Sequence, residues 1–128
     1  WESVKQAGNA DDMLRNLIRR HLTEFQQDRS MAVVFQREAL QARYIDDAYI
    51  RDIAAMYFDI LDAIIQKGQK DGTFRKDFSI SLGKRFILGA VNEVINTWVV
   101  AGSKYDLADM ADPLADLFIS GIGTHVMP

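Results

Sequence analysis

Apolar and polar positions alternate with a helical period along nearly the whole chain. Between Asn9 and Asp28, Met13, Leu14, Leu17, Ile18, His21, Leu22 and Phe25 recur at three- and four-residue spacing. Arg15, Asn16, Arg19, Arg20, Thr23, Gln26 and Gln27 fall on the other side. Asn9 or Asp11 caps this first helix, and Asp11 and Asp12 suit the positive end of its dipole. Ser30 opens a second, shorter helix holding Val33, Val34, Phe35, Leu40 and Arg43. A third begins at Asp46 or Asp47. Its apolar stripe is Tyr49, Ile50, Ile53, Met56, Tyr57, Ile60, Leu61, Ile64 and Ile65. Gly68 loosens its end, Gly72 is a natural left-handed stop, and Phe74 and Phe78 tuck under the turn that follows. A fourth helix runs from Ser79 or Ser81 to about Ala101. The last starts at Asp106, with Leu107, Met110, Ala111, Leu114, Leu117, Phe118, Gly121 and Ile122 on one side. Pro113 either bends it or restarts it; a continuous, bent helix is the expectation. No strand pattern survives, so the fold is all-α with about five helices.

The fourth helix changes the picture. Phe86, Ile87, Leu88, Val91, Val94, Ile95, Trp98, Val99 and Val100 point all round its cylinder. A helix apolar on every side is buried on every side, and one small domain has little room for that. A partner chain is the economical answer. Asn92, Glu93, Asn96 and Thr97 interrupt this apolar surface, and buried polar groups need partners. They bond across a helix–helix interface or face a cavity and hold a ligand.

At 128 residues, 48% of them hydrophobic, the chain makes one domain with a real core. The net charge of −3 argues against a grip on nucleic acid by this piece alone. The acidity is concentrated at one end: residues 103–128 hold one basic and four acidic side chains. Without cysteine there is no disulfide, thiolate zinc site or cysteine nucleophile. No signal segment opens the chain, and Phe86 to Gly102 falls short of a membrane span. A cytoplasmic protein without a membrane partner is expected.

Candidate chemistry is sparse. There are two histidines. His125 lies near the end of the chain and is given no role. His21 sits on the apolar face of the first helix, either as a hydrogen-bonded core residue or as the polar tip of a ligand pocket. A di-iron bundle needs two Glu-x-x-His pairs, and the sequence has none. It also lacks a nucleophile elbow and a phosphate loop. No metal, cofactor or catalytic residue is expected. A small lipid-acting enzyme with His21 and Glu24 or Glu93 as acid and base stays as an alternative. Arg15, Arg19 and Arg20 form a basic patch, either a solvated face or a landing site for an anionic headgroup.

Five features in order carry a resemblance. They are Tyr57 and Ile60 in a helix ending Ile64-Ile65-Gln66-Lys67-Gly68, the turn from Gly72 to Asp77, Phe86-Ile87-Leu88-Gly89-Ala90 leading into Trp98, then Tyr105-Asp106-Leu107, and a helix ending Asp116-Leu117-Phe118-Ile119-Ser120-Gly121. This resembles the C-terminal regulatory domain of TetR-family transcriptional repressors, most of all the branch that senses fatty acids or acyl-CoA thioesters. The resemblance implies a homodimer whose last two helices form a four-helix bundle with the partner. Gly89, Ala90, Glu93, Met110, Leu114, Leu117, Phe118 and Gly121 would lie in that interface. It also implies an apolar effector cavity in each subunit, for which Leu17, His21, Phe25, Phe35, Tyr57, Leu61 and Trp98 are the candidates. Operator DNA would be read only by an N-terminal domain that this sequence does not include. Residues 1–10 would be the remnant of the link to it, and residues 11–128 the ligand-binding and dimerisation domain. A helical dimer with a full interior and no ligand is the remaining alternative.

Overall fold

The computed structural model describes residues 8–30, 32–33 and 48–124. Four α-helices and one 3-10 turn make up the described fold: α1 (Ala10–Gln27), α2 (Ala48–Asp71), α3 (Ile80–Val100), a 3-10 turn (Leu107–Met110) and α4 (Ala111–Ile122). Among the described residues there is no strand, only an isolated bridge between Phe74 and Gly123. The second helix expected from Ser30 falls mostly outside the described residues. What is described begins earlier, because residues 29–30 and 32–33 are helical and the Ala32 N–H donates to the Asp28 carbonyl at 3.0 Å.

Two of the helices, α1 and α3, start where a side chain satisfies an exposed backbone donor. The Asn9 side-chain oxygen accepts from the Asp12 N–H at 2.9 Å. The Ser79 hydroxyl accepts from the Leu82 N–H at 3.1 Å. α2 ends at Asp71, and Gly72 takes a φ of +85°, a conformation that a side chain would strain. The last helix differs from the continuous, bent one that the sequence suggests. The chain makes a 3-10 turn first, and α4 begins at Ala111. Pro113 then lies in the first turn of α4, where its missing N–H has no intrahelical partner to lose.

The core follows the predicted stripes. The buried face of α1 is Ala10, Met13, Leu14, Leu17, Ile18, His21, Leu22 and Phe25. α1 packs against α2, α4 and the 3-10 turn, while α2 and α3 pack together as a hairpin. Lys84 on α3 reaches Asp62 on α2 at 2.8 Å and holds its carboxyl below the usual carboxylate range. The turn between them clamps the end of α4. The Arg75 N–H donates to the Ile122 carbonyl at 2.8 Å, and the Thr124 N–H to the Thr73 carbonyl at 3.0 Å. Phe74 is fully buried beneath it.

A second link joins the two ends of the chain. Arg15 bonds Asp112 at 3.0 Å and also bonds Asp116. Arg19 reaches Asp112 at 2.8 Å. The basic patch of α1 is therefore matched to acidic side chains of α4, which accounts for part of the acidity near the C-terminus.

Candidate functional site

The inner face of α1 and the facing side of α2 build an aromatic stack. The His21 ring lies on Tyr57 with centroids 4.3 Å apart and planes 17° from parallel. Phe25, one turn further along α1, meets His21 edge-on at 4.8 Å. His21 is 4% exposed, and burial pushes its imidazole down to about 4, so it is neutral at physiological pH. The Tyr57 hydroxyl donates to Glu24 at 2.9 Å, and Arg20 donates to the other oxygen of the same carboxylate at 3.0 Å. Burial, and then the Glu24 charge, hold the Tyr57 phenol above its ordinary range. A neutral, mostly apolar interior thus meets a charged rim at Glu24. Beyond the rim, an open groove of about 550 Å³ runs along the outer side of α1, lined by Asn16, Arg19, Arg20, Thr23 and Glu24.

Of the residues expected to line a pocket, His21, Phe25 and Tyr57 are brought into contact. Leu17 and Leu61 are buried in the same continuous core. Trp98 is buried too, and its indole N–H donates to the Tyr105 carbonyl at 2.7 Å, which ties it to the segment before the 3-10 turn. Phe35 lies outside the described residues, as does His125. The Tyr57–Glu24–Arg20 array was not foreseen. Its only trace in the sequence is the four-residue step from Arg20 to Glu24.

The expected partner face divides in two. Gly89, Glu93, Met110, Leu117 and Gly121 are exposed, and Ala90 is half-buried. Leu114 and Phe118 are buried within their own protomer. Phe118 instead holds Phe86 edge-on, with centroids 5.3 Å apart. Two outward apolar residues of α3 that were not among the expected interface residues are Leu82, 60% exposed, and Phe86, 47% exposed. They begin a stripe that continues through Gly89 and Glu93 to Val100. A groove of about 280 Å³ beside it is lined by Phe78, Leu82, Gly83, Phe86, Gly121, Ile122 and Arg75. Glu93 and Thr97, expected inside a wholly buried helix, are on the surface. Met56, expected in the stripe of α2, is exposed as well.

Among the described residues no group of three His, Cys, Asp or Glu side chains is placed to hold a metal ion. None of the described helices is long and apolar enough to cross a membrane. Of the carboxylates in the enzyme alternative, Glu24 is engaged by Tyr57 and Arg20, and Glu93 sits on the outer side of α3.

Residues 1–121 match the TetR_C_4 family model, described as YsiA-like protein, C-terminal region. The chain belongs to this family. A curated relative is the fatty acid metabolism regulator protein of Bacillus subtilis (strain 168), 30% identical over 121 residues, which are 94% of this chain and 62% of the relative. The fold also superposes on the crystal structure of the transcriptional regulator FadR from Bacillus subtilis in complex with stearoyl-CoA. That match has a TM-score of 0.79 and 29% identity, over 94% of this chain and 65% of the other. FadR from Bacillus halodurans, a fatty acid degradation regulator, gives a TM-score of 0.80 at 25% identity over the same shares. The ketosteroid transcriptional regulator KstR2 of Mycobacterium tuberculosis shares the fold, at 20% identity and a TM-score of 0.78. This TetR-type regulatory region spans a little under two-thirds of the length of the FadR proteins.

Proposed function

We propose that this chain is the effector-sensing and dimerisation region of a TetR-family transcriptional repressor whose effector is a long-chain acyl-CoA. The observation that carries the reading is the likeness in sequence and fold to a regulator crystallised with stearoyl-CoA. The chain's own geometry supports it. α1 and α2 meet over a neutral aromatic stack, and a groove with two arginines lies just outside it. An amphiphile with an apolar tail and an anionic head matches that sequence of environments. Each buried methylene contributes about 0.8 kcal/mol, so longer chains are favoured until the available depth is filled.

Release of operator DNA follows from population shift. The effector binds one arrangement of the helices better than the other, and a coupling of about 1–3 kcal/mol is typical of such switches. The arrangement reaches a second subunit through the outward stripe of α3, Leu82, Phe86 and Gly89, together with Met110, Leu117 and Gly121. The DNA-reading part belongs to a preceding domain, with residues 1–10 as the end of the link to it. The mechanism needs neither metal nor catalytic step.

Native mass spectrometry of the domain with palmitoyl-CoA tests the reading. A homodimer carrying one palmitoyl-CoA per protomer is the expected result. A species that takes up no acyl-CoA and no fatty acid sinks the sensor assignment, and a strictly monomeric one sinks the dimer.

A further inference from the structure

The polar residues of α3 fall on different sides of the helix. Glu93 and Thr97 are exposed, and the Thr97 hydroxyl donates to Glu93 at 3.3 Å. They share the outward side with Leu82 and Phe86. Asn92 is half-buried and lies elsewhere. It follows Lys84 and Leu88 at four-residue steps, and Lys84 is the residue that reaches Asp62 on α2. This flank of α3 therefore runs along the seam with α2, the helix that carries Tyr57. In that seam the Asn92 carboxamide oxygen is cut off from solvent and has no hydrogen-bond partner among the described residues.

An acceptor removed from water and left unbonded opposes folding, and an apolar side chain of similar size would not. The residues beside it along α3, Leu88, Val91 and Ile95, are aliphatic and belong to the core or pack against it. Such a group is retained where something absent from the free protein completes it.

We propose that Asn92 is a hydrogen-bonding anchor of the effector site, its carboxamide oxygen accepting from an N–H of a ligand lodged between α2 and α3. This rests on the acyl-thioester reading above and sharpens it. The pantetheine arm of an acyl-CoA carries two amide N–H groups near the thioester. A fatty-acid carboxylate carries no donor at neutral pH. Asn92 thus selects the activated thioester over the free acid.

The test compares the wild-type domain with Asn92→Leu and the smaller Asn92→Ala. Thermal unfolding is followed without ligand, and palmitoyl-CoA and palmitate are each titrated calorimetrically. The expected results for Asn92→Leu are a higher Tm without ligand, about tenfold weaker binding of palmitoyl-CoA, and unchanged binding of palmitate. Asn92→Ala carries the affinity comparison if leucine proves too large to fold. Unchanged palmitoyl-CoA affinity in both variants overturns the anchor and leaves the sensor reading standing. Equal losses for the two ligands overturn it too, as does a lower Tm with unchanged ligand preference, which is the mark of a structural amide holding a buried water. A wild-type domain that binds neither ligand overturns the acyl-thioester reading and the anchor with it.

Discussion

His21 lies almost flat against Tyr57, with ring centroids 4.3 Å apart, and this contact joins the inner face of α1 to α2. The two rings have opposite surroundings at their edges. His21 is sealed in the core and neutral, whereas the Tyr57 hydroxyl emerges at the Glu24 carboxylate. The stack is the point where the apolar interior and the charged rim meet, and its protonation behaviour reports whether it is intact.

Stability should fall on acidification through the His21 window. The ordinary imidazole value is 6.5, and burial lowers it to about 4 in the folded chain. Between those values the unfolded chain takes up a proton that the folded one refuses, so acid favours unfolding. Stability is full above about pH 6.5 and declines by roughly 3 kcal/mol as the pH approaches 4. Urea titrations at half-unit steps of pH measure the slope. His21→Phe keeps an aromatic ring on Tyr57 and should flatten the curve in that window. A variant with the wild-type slope would show that the histidine is not sealed.

Tyr57→Phe should cost about 1 kcal/mol, the usual net value of one side-chain hydrogen bond, while Glu24 keeps its bond to Arg20. Ultraviolet titration gives a second reading. Burial and the Glu24 charge delay ionisation of this phenol, so wild-type protein should show a late-titrating tyrosine that is missing from Tyr57→Phe. If the amplitude lost in Tyr57→Phe falls in the ordinary tyrosine range instead, the hydroxyl is open to water.

The interior of this fold was legible in the sequence because a core face repeats. The stripe from Met13 to Phe25 on α1 is the observed buried face, and Tyr57, Ile60, Leu61, Ile64 and Ile65 of α2 are buried as their spacing demanded. The outward face was harder to read, because an apolar residue looks the same whether it fills its own core or lies on the surface. Leu114 and Leu117 are three residues apart on α4, yet one is 8% exposed and the other 69%. Spacing alone assigned both to the same surface. The polar set of α3 was ambiguous for a related reason. Asn92 and Glu93 are adjacent in sequence but differ in burial, and contacts such as Lys84–Asp62 show where α3 meets α2. The pairing of Arg15 and Arg19 with Asp112 and Asp116 was also hidden. Each pair is four residues apart on its own helix, but nothing in the sequence says that the two helices meet.

Leu117→Asp should convert the proposed dimer to a monomer. The side chain is 69% exposed, so a carboxylate there leaves the protomer core undisturbed but puts two unpaired charges into the interface, one from each subunit. Light scattering after gel filtration measures the mass, and circular dichroism confirms that the helices remain. A variant that stays dimeric would move the interface elsewhere, with exposed Met56 and Phe58 on α2 as the next apolar surface to examine.

Gly68→Ala should destabilise the domain by about 1–3 kcal/mol, the usual range for overpacking a filled core. The sequence gives Gly68 the role of loosening the end of α2, yet the helix continues to Asp71. The reason for glycine is the Phe74 ring. A methyl group at position 68 would overlap that ring. Phe74 is fully buried, and its backbone N–H donates to the Gly68 carbonyl at 2.9 Å, so the ring has little freedom to withdraw. Alanine is otherwise the better helix former by roughly 1 kcal/mol, and a merely flexible glycine would therefore give the opposite sign. Thermal unfolding separates the two. A lower Tm identifies a packing glycine, and a higher one means that Phe74 shifts readily and the turn at its back is not rigid.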